Sequence, residues 1–70
     1  LLRAAVAELP EKYREAFRLI KLEDNSFPQA AGLMQLSERM VRKYITRALI
    51  YIRLRRDGHS AKDAWNEVQS

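Results

Sequence analysis

The sequence has no cysteine, only two glycines and two prolines, and a single histidine among its 70 residues. Without cysteine it can form no disulfide staple, thiolate zinc site or cysteine nucleophile. That usage fits a reducing compartment, and a cytoplasmic location is expected. No Gly-rich phosphate loop can be assembled. No apolar run approaches the ~20 residues a membrane span needs, and the start does not read as a signal peptide, so no membrane insertion is expected. The lone His59 has no second His or Cys with which to share a metal and reads as an exposed loop residue. The acidic residues are scattered rather than paired across a cleft. At 8.2 kDa the chain can bury one marginal core, with little room left for an enclosed substrate pocket. Binding is therefore expected rather than catalysis, with no cofactor and no metal. Leu1 in place of Met predicts a piece of a longer protein.

Charge is the resource the chain does have. The net charge of +4 is modest, but residues 37–56 hold seven basic groups against one acidic group, while residues 1–25 balance and residues 57–70 are acidic. A local basic stretch suits a polyanion, because neutralised phosphates release counterions and supply affinity. A solvated helix face has the same composition, so charge alone does not decide the matter.

Composition and spacing predict an all-α domain of four to five helices. A short first helix covers residues 1–8 and ends before Pro10, which opens the second helix. There Tyr13, Ala16, Phe17 and Ile20 form a core-facing stripe. A polar turn at Glu23-Asp24-Asn25 follows, and Ser26 with Gln29 spells a capping box for a third helix that holds Pro28 in its first turn. Ser37 caps a fourth helix running to about Asp57, and the tight turn between the two makes a helix-turn-helix. Val41, Ile45, Ala48 and Ile52, with Leu49 beside them, should face the core. Gly58 supplies the stop, and Ser60 and Asp63 frame a short fifth helix with an Ala61, Ala64, Trp65, Val68 stripe. Residues 1–57 are expected to form the helix-turn-helix domain and residues 58–70 an amphipathic C-terminal helix.

On the fourth helix Arg39, Arg42, Lys43, Thr46 and Arg47 share the exposed side of the first half, since side chains three and four apart are neighbours. In a helix-turn-helix this is the part that enters the major groove, where Arg and Lys donate to guanine O6 and N7. Arg42, Lys43, Thr46 and Arg47 are expected at base edges. Arg39 and Tyr44 are expected at phosphates, with Phe27 at the start of the third helix.

From Leu9 to about Ile52 the chain resembles region 4 of the sigma-70 family of bacterial transcription initiation factors, especially the extracytoplasmic-function group. The resemblance rests on Leu9-Pro10-Glu11-Lys12-Tyr13-Arg14-Glu15-Ala16-Phe17, on Asn25 to Ala31, and on Leu36-Ser37 before Met40-Val41-Arg42-Lys43. Gln35 stands where that family's turn carries Gly, which asks it for a glycine-like conformation or for a slightly different turn. The Val41 to Ile45 string is similar to the subgroup that controls iron-siderophore uptake genes. The resemblance implies recognition of the promoter element about 35 base pairs upstream of the start site and docking on the β flap of core RNA polymerase. It also implies regulation by an anti-sigma factor or the cytoplasmic tail of a membrane sensor. Carried over by position, Arg42, Lys43, Thr46 and Arg47 read bases, and Phe27, Arg39, Met40 and Tyr44 contact the backbone.

Two apolar strips, Ile50, Tyr51 and Leu54 on the fourth helix and Trp65 and Val68 on the fifth, have no counterpart in the family pattern. They either pack together or dock a partner. Two other functions compete: the DNA-binding domain of a response regulator or other transcription regulator, which lacks the Leu9-Pro10 opening, and a helical protein-interaction module whose basic face meets an acidic partner.

Overall fold

The computed structural model describes residues 2–69. Within them the chain forms α1 (Leu2–Glu8), α2 (Glu11–Phe17, continued by a wider π-helical turn over Arg18–Leu22), α3 (Phe27–Met34), α4 (Glu38–Arg56) and α5 (Ala61–Gln69), with no strand among the described residues. The starts follow the caps read from the sequence. Ser26 Oγ accepts from the Gln29 N–H at 3.2 Å while Gln29 Oε1 accepts from the Ser26 N–H at 2.8 Å, so two orphan amides of α3 are satisfied reciprocally. Ser37 Oγ accepts from the Met40 N–H at 3.2 Å, and Ser60 Oγ from the Asp63 N–H at 3.1 Å.

The helix ends are equally specific. Of the two arrangements open to it, Gln35 takes the glycine-like, left-handed one (φ 57°, ψ 43°), and the Leu36 N–H reaches back to the Ala31 carbonyl at 2.9 Å. Gly58 (φ 100°) closes α4 in the same manner, with the His59 N–H on the Leu54 carbonyl at 3.1 Å. Asp24 is also left-handed (φ 58°). It follows the π-helical turn, which the helical periodicity of α2 did not announce.

α4 is the spine against which α1, α2, α3 and α5 all pack. Ala16, Ala30, Ala48 and Ala64 have no exposed surface. Methyl groups at those crossings let helix axes come to the close end of the usual ~8–10 Å range. Two clusters of buried side chains result. The larger joins Ala5, Leu9, Ala16, Phe17, Ile45, Ala48, Tyr51, Ile52, Ala64 and Val68. The smaller lies inside the helix-turn-helix and joins Leu19, Ala30, Ala31 and Val41. Ile20, Phe27 and Met34 touch both. Leu19 and Ile20, neighbours within the widened turn, bear on these interiors, Leu19 on the smaller and Ile20 on both.

Leu49 departs from the expected core face: 39% of it is exposed, because the helices packed on α4 leave that side open. It lines instead a groove with Ala4, Ala5, Ile52 and three arginines, Arg53, Arg55 and Arg56. The end of α4 near residue 57 is no break in the core, since Ala64 and Val68 of α5 are buried among residues of α1, α2 and α4.

One polar cluster ties α1, α4 and the α4–α5 turn. Arg55 Nε and Nη2 donate to the two carboxylate oxygens of Glu8 at 2.8 and 3.0 Å, Arg55 Nη1 donates to the His59 carbonyl at 2.7 Å, and Tyr51 Oη donates to Glu8 Oε1 at 2.7 Å. The Arg55 hydrogen bond, followed by that from Tyr51, holds the Glu8 carboxyl down from 4.5 to about 2. Burial, reinforced by Glu8, pushes the Tyr51 phenol up.

Candidate nucleic-acid interface

Capping by Ser37 fixes where α4 begins and therefore which side chains follow the turn. Arg39, Arg42, Lys43, Thr46 and Arg47 line one shallow depression together with Ser37 and Met40. All but Met40 and Arg47 of this set are exposed, and those two are half-buried. The structure thus brings the four residues expected at bases onto one surface with Arg39 and Met40. Among the described residues, no carboxylate forms an ion pair with Arg39, Arg42, Lys43 or Arg47, whereas Arg18 pairs with Glu15 and Glu23, and Arg55 with Glu8. Four cations left unneutralised on one helix face make a surface suited to phosphates and base acceptors.

Phe27 and Tyr44 are placed differently from the rest. The Tyr44 ring packs edge-on against Tyr13 with centroids 4.9 Å apart, so it faces the larger core and does not line the depression. Phe27 is half-buried, and the Arg42 guanidinium lies 4.1 Å above its ring centroid. Arg42 stands four residues after Glu38, a spacing that favours an ion pair on a helix, yet it lies over the ring instead. No local pattern announces this contact, because the two residues belong to different helices.

The two apolar strips pack together. Tyr13 and Tyr51 each meet Trp65 edge-on, at 5.2 and 6.0 Å between centroids. Tyr51 and Val68 are buried, and Ile50, Leu54 and Trp65 are packed against the same core. In this arrangement Tyr51 and Val68 offer no surface to a partner, because each is enclosed by neighbouring helices.

A comparison with known families finds that the family described as Sigma-70, region 4 matches residues 1–52. The chain belongs to that family. No curated protein and no solved structure matches it. Sigma-70 region 4 is a helix-turn-helix domain that recognises promoter −35 elements and binds RNA polymerase, and the family is one of DNA-binding domains rather than of enzymes. The match ends within α4, so the last turn of that helix and all of α5 lie beyond it. Among the described residues no helix of this sigma region 4 domain is long and apolar enough to cross a membrane.

Proposed function

We propose that this sigma region 4 domain reads the −35 element by laying the first half of α4 in the major groove. Arg42, Lys43, Thr46 and Arg47 face base edges there, and Arg39 and Met40 lie at the phosphate margin with the start of α3; Tyr44, packed on Tyr13, braces the helix from the core side. The observation that carries the reading is the shared, unpaired basic depression formed by Arg39, Arg42, Lys43, Thr46 and Arg47. α3 crosses the backbone, and the positive end of its dipole favours the phosphate, although Pro28 and the capping box of Ser26 and Gln29 leave only the Phe27 N–H of its first turn free to donate. The domain docks on the β flap of core RNA polymerase in the cytoplasm. The Val41-Arg42-Lys43-Tyr44-Ile45 string supports an extracytoplasmic-function sigma factor of the iron-siderophore type, controlled by an anti-sigma factor or a sensor tail.

The test contrasts Arg47→Ala with Arg39→Ala in promoter binding with core polymerase present. Arg47→Ala should cost about 1–3 kcal/mol at the cognate element and relax base preference at one position. Arg39→Ala should weaken binding evenly across sequences and reduce the salt dependence by about one counterion. Identical behaviour of the two variants would refute the division between base and phosphate contacts. Affinity indifferent to salt and to both substitutions would remove the DNA reading altogether.

A further inference from the structure

The contact between Arg42 and Phe27 shows how a long, flexible side chain on a solvent-facing helix is held before any ligand arrives. We infer that Phe27 is a positioning residue for base recognition: its ring is a fixed platform that presents the Arg42 guanidinium to a guanine in the major groove. The inference rests on the DNA reading proposed above and deepens it, because it separates what Phe27 does from a contact with phosphate.

Four observations support it. The guanidinium carbon sits 4.1 Å from the Phe27 ring centroid, inside the ~6 Å reach of a cation–π contact. The platform cannot drift, because Phe27 is half-buried and packed against both interior clusters, beside Ile20 and Met34. Its backbone is fixed as well, since Phe27 is the first residue of α3, directly after the Ser26 cap and its reciprocal bond to Gln29. The cation also forms no ion pair with Glu38, one turn earlier on its own helix, nor with any other carboxylate among the described residues.

The geometry matters for specificity. A guanidinium held 4.1 Å over a ring has one side covered by it, and the N–H groups directed away from the ring stay free for bidentate donation to guanine O6 and N7. An arginine free to sample its rotamers has to lose that freedom on binding, and its N–H fork meets phosphate as readily as a base. The contact removes part of that loss beforehand and aims the fork. An exposed cation–π contact of ordinary strength corresponds to about a two- to fivefold preference.

The experiment offers the seventy-residue chain a library of duplexes with a randomised six-base-pair core at low ionic strength and sequences the bound fraction. Wild type, Phe27→Leu, Phe27→Tyr, Arg42→Ala and the double variant Phe27→Leu/Arg42→Ala are compared, each checked by circular dichroism for an unchanged helical signal. The expected result is a guanine preference at one position that Arg42→Ala abolishes. Phe27→Leu should reduce it about two- to fivefold at that position alone, and Phe27→Tyr, which keeps the ring, should retain it. The double variant should behave as Arg42→Ala. A Phe27→Leu variant that weakens all sequences evenly, or leaves the guanine preference intact, overturns the positioning role while Arg42 stays a base reader. If Arg42→Ala itself leaves every base preference unchanged, the underlying DNA reading of Arg42 fails, and the positioning role fails with it. Should Phe27→Leu lose its helical signal, the Phe27→Tyr arm and a Phe27→Met variant decide the question on the same preference.

Discussion

Truncating Trp65 to Ala tests whether α5 belongs to the cooperative fold. In the structure the indole meets two rings edge-on, Tyr13 at 5.2 Å and Tyr51 at 6.0 Å. Each such pair contributes about 0.5–1.5 kcal/mol beyond its area, which gives about 1–3 kcal/mol for the two. Large-to-small changes of a fully buried Trp cost about 3–5 kcal/mol in all, and Trp65 is only half-buried, so the lower end applies: a loss of about 3 kcal/mol. A domain of 70 residues has about 3.5–10 kcal/mol to lose, at roughly 0.05–0.15 kcal/mol per residue. At about 4–8 °C per kcal/mol for this size, the melting temperature should fall by about 12–24 °C. Trp65→Phe, which keeps a ring against both tyrosines, should recover more than half of that. Circular dichroism melting at 222 nm and urea titration supply the measurements. A melting temperature within about 2 °C of wild type, with binding to a partner lost, would refute the packing argument and return α5 to a docking role.

Two further outcomes follow from the cap and the latch. The folded Glu8 carboxyl sits at about 2 against 4.5 for the free group, so its contribution is complete above pH 4.5 and is lost as pH falls from there towards 2. Glu8→Gln should flatten that limb of a stability-versus-pH curve, and an unchanged acid limb would show that the latch does not form in solution. Gln35→Gly should stabilise the domain by about 0.5–1 kcal/mol, because glycine adopts the left-handed geometry at Gln35 without the Cβ penalty. Chemical denaturation measures it, and a loss of stability would contradict the turn geometry.

The caps and the two turns were legible because they are local. Ser26 with Gln29, Ser37, Ser60 and Gly58 each act within a few residues, and Gln35 marked its turn by standing in a glycine place. The basic face of α4 was legible for the same reason, since helical spacing alone assembles it. What spacing could not supply was where neighbouring helices stop. Leu49 falls on the apolar side of α4 and yet is exposed, because no helix covers that flank. The π-helical turn left no mark in the sequence either, because the spacing of Tyr13, Ala16, Phe17 and Ile20 is read on an α-helical period, and Leu19, which lies inside the widened turn, was missed with it. Glu8 with Arg55, and Phe27 with Arg42, are tertiary pairs between separate helices, which no window along the chain contains.

Two interiors under one spine divide the chain's tolerance of change. Substitutions around Leu19, Ala30, Ala31 and Val41 alter how the helix-turn-helix is braced, and those around Leu9, Phe17, Tyr51 and Val68 alter what it is mounted on. Each compartment can drift in sequence without consulting the other, provided the partition between them stands. That partition is only three side chains wide, Ile20, Phe27 and Met34. Substitutions at those three positions should therefore be felt in both compartments, whereas substitutions confined to one leave the other in place.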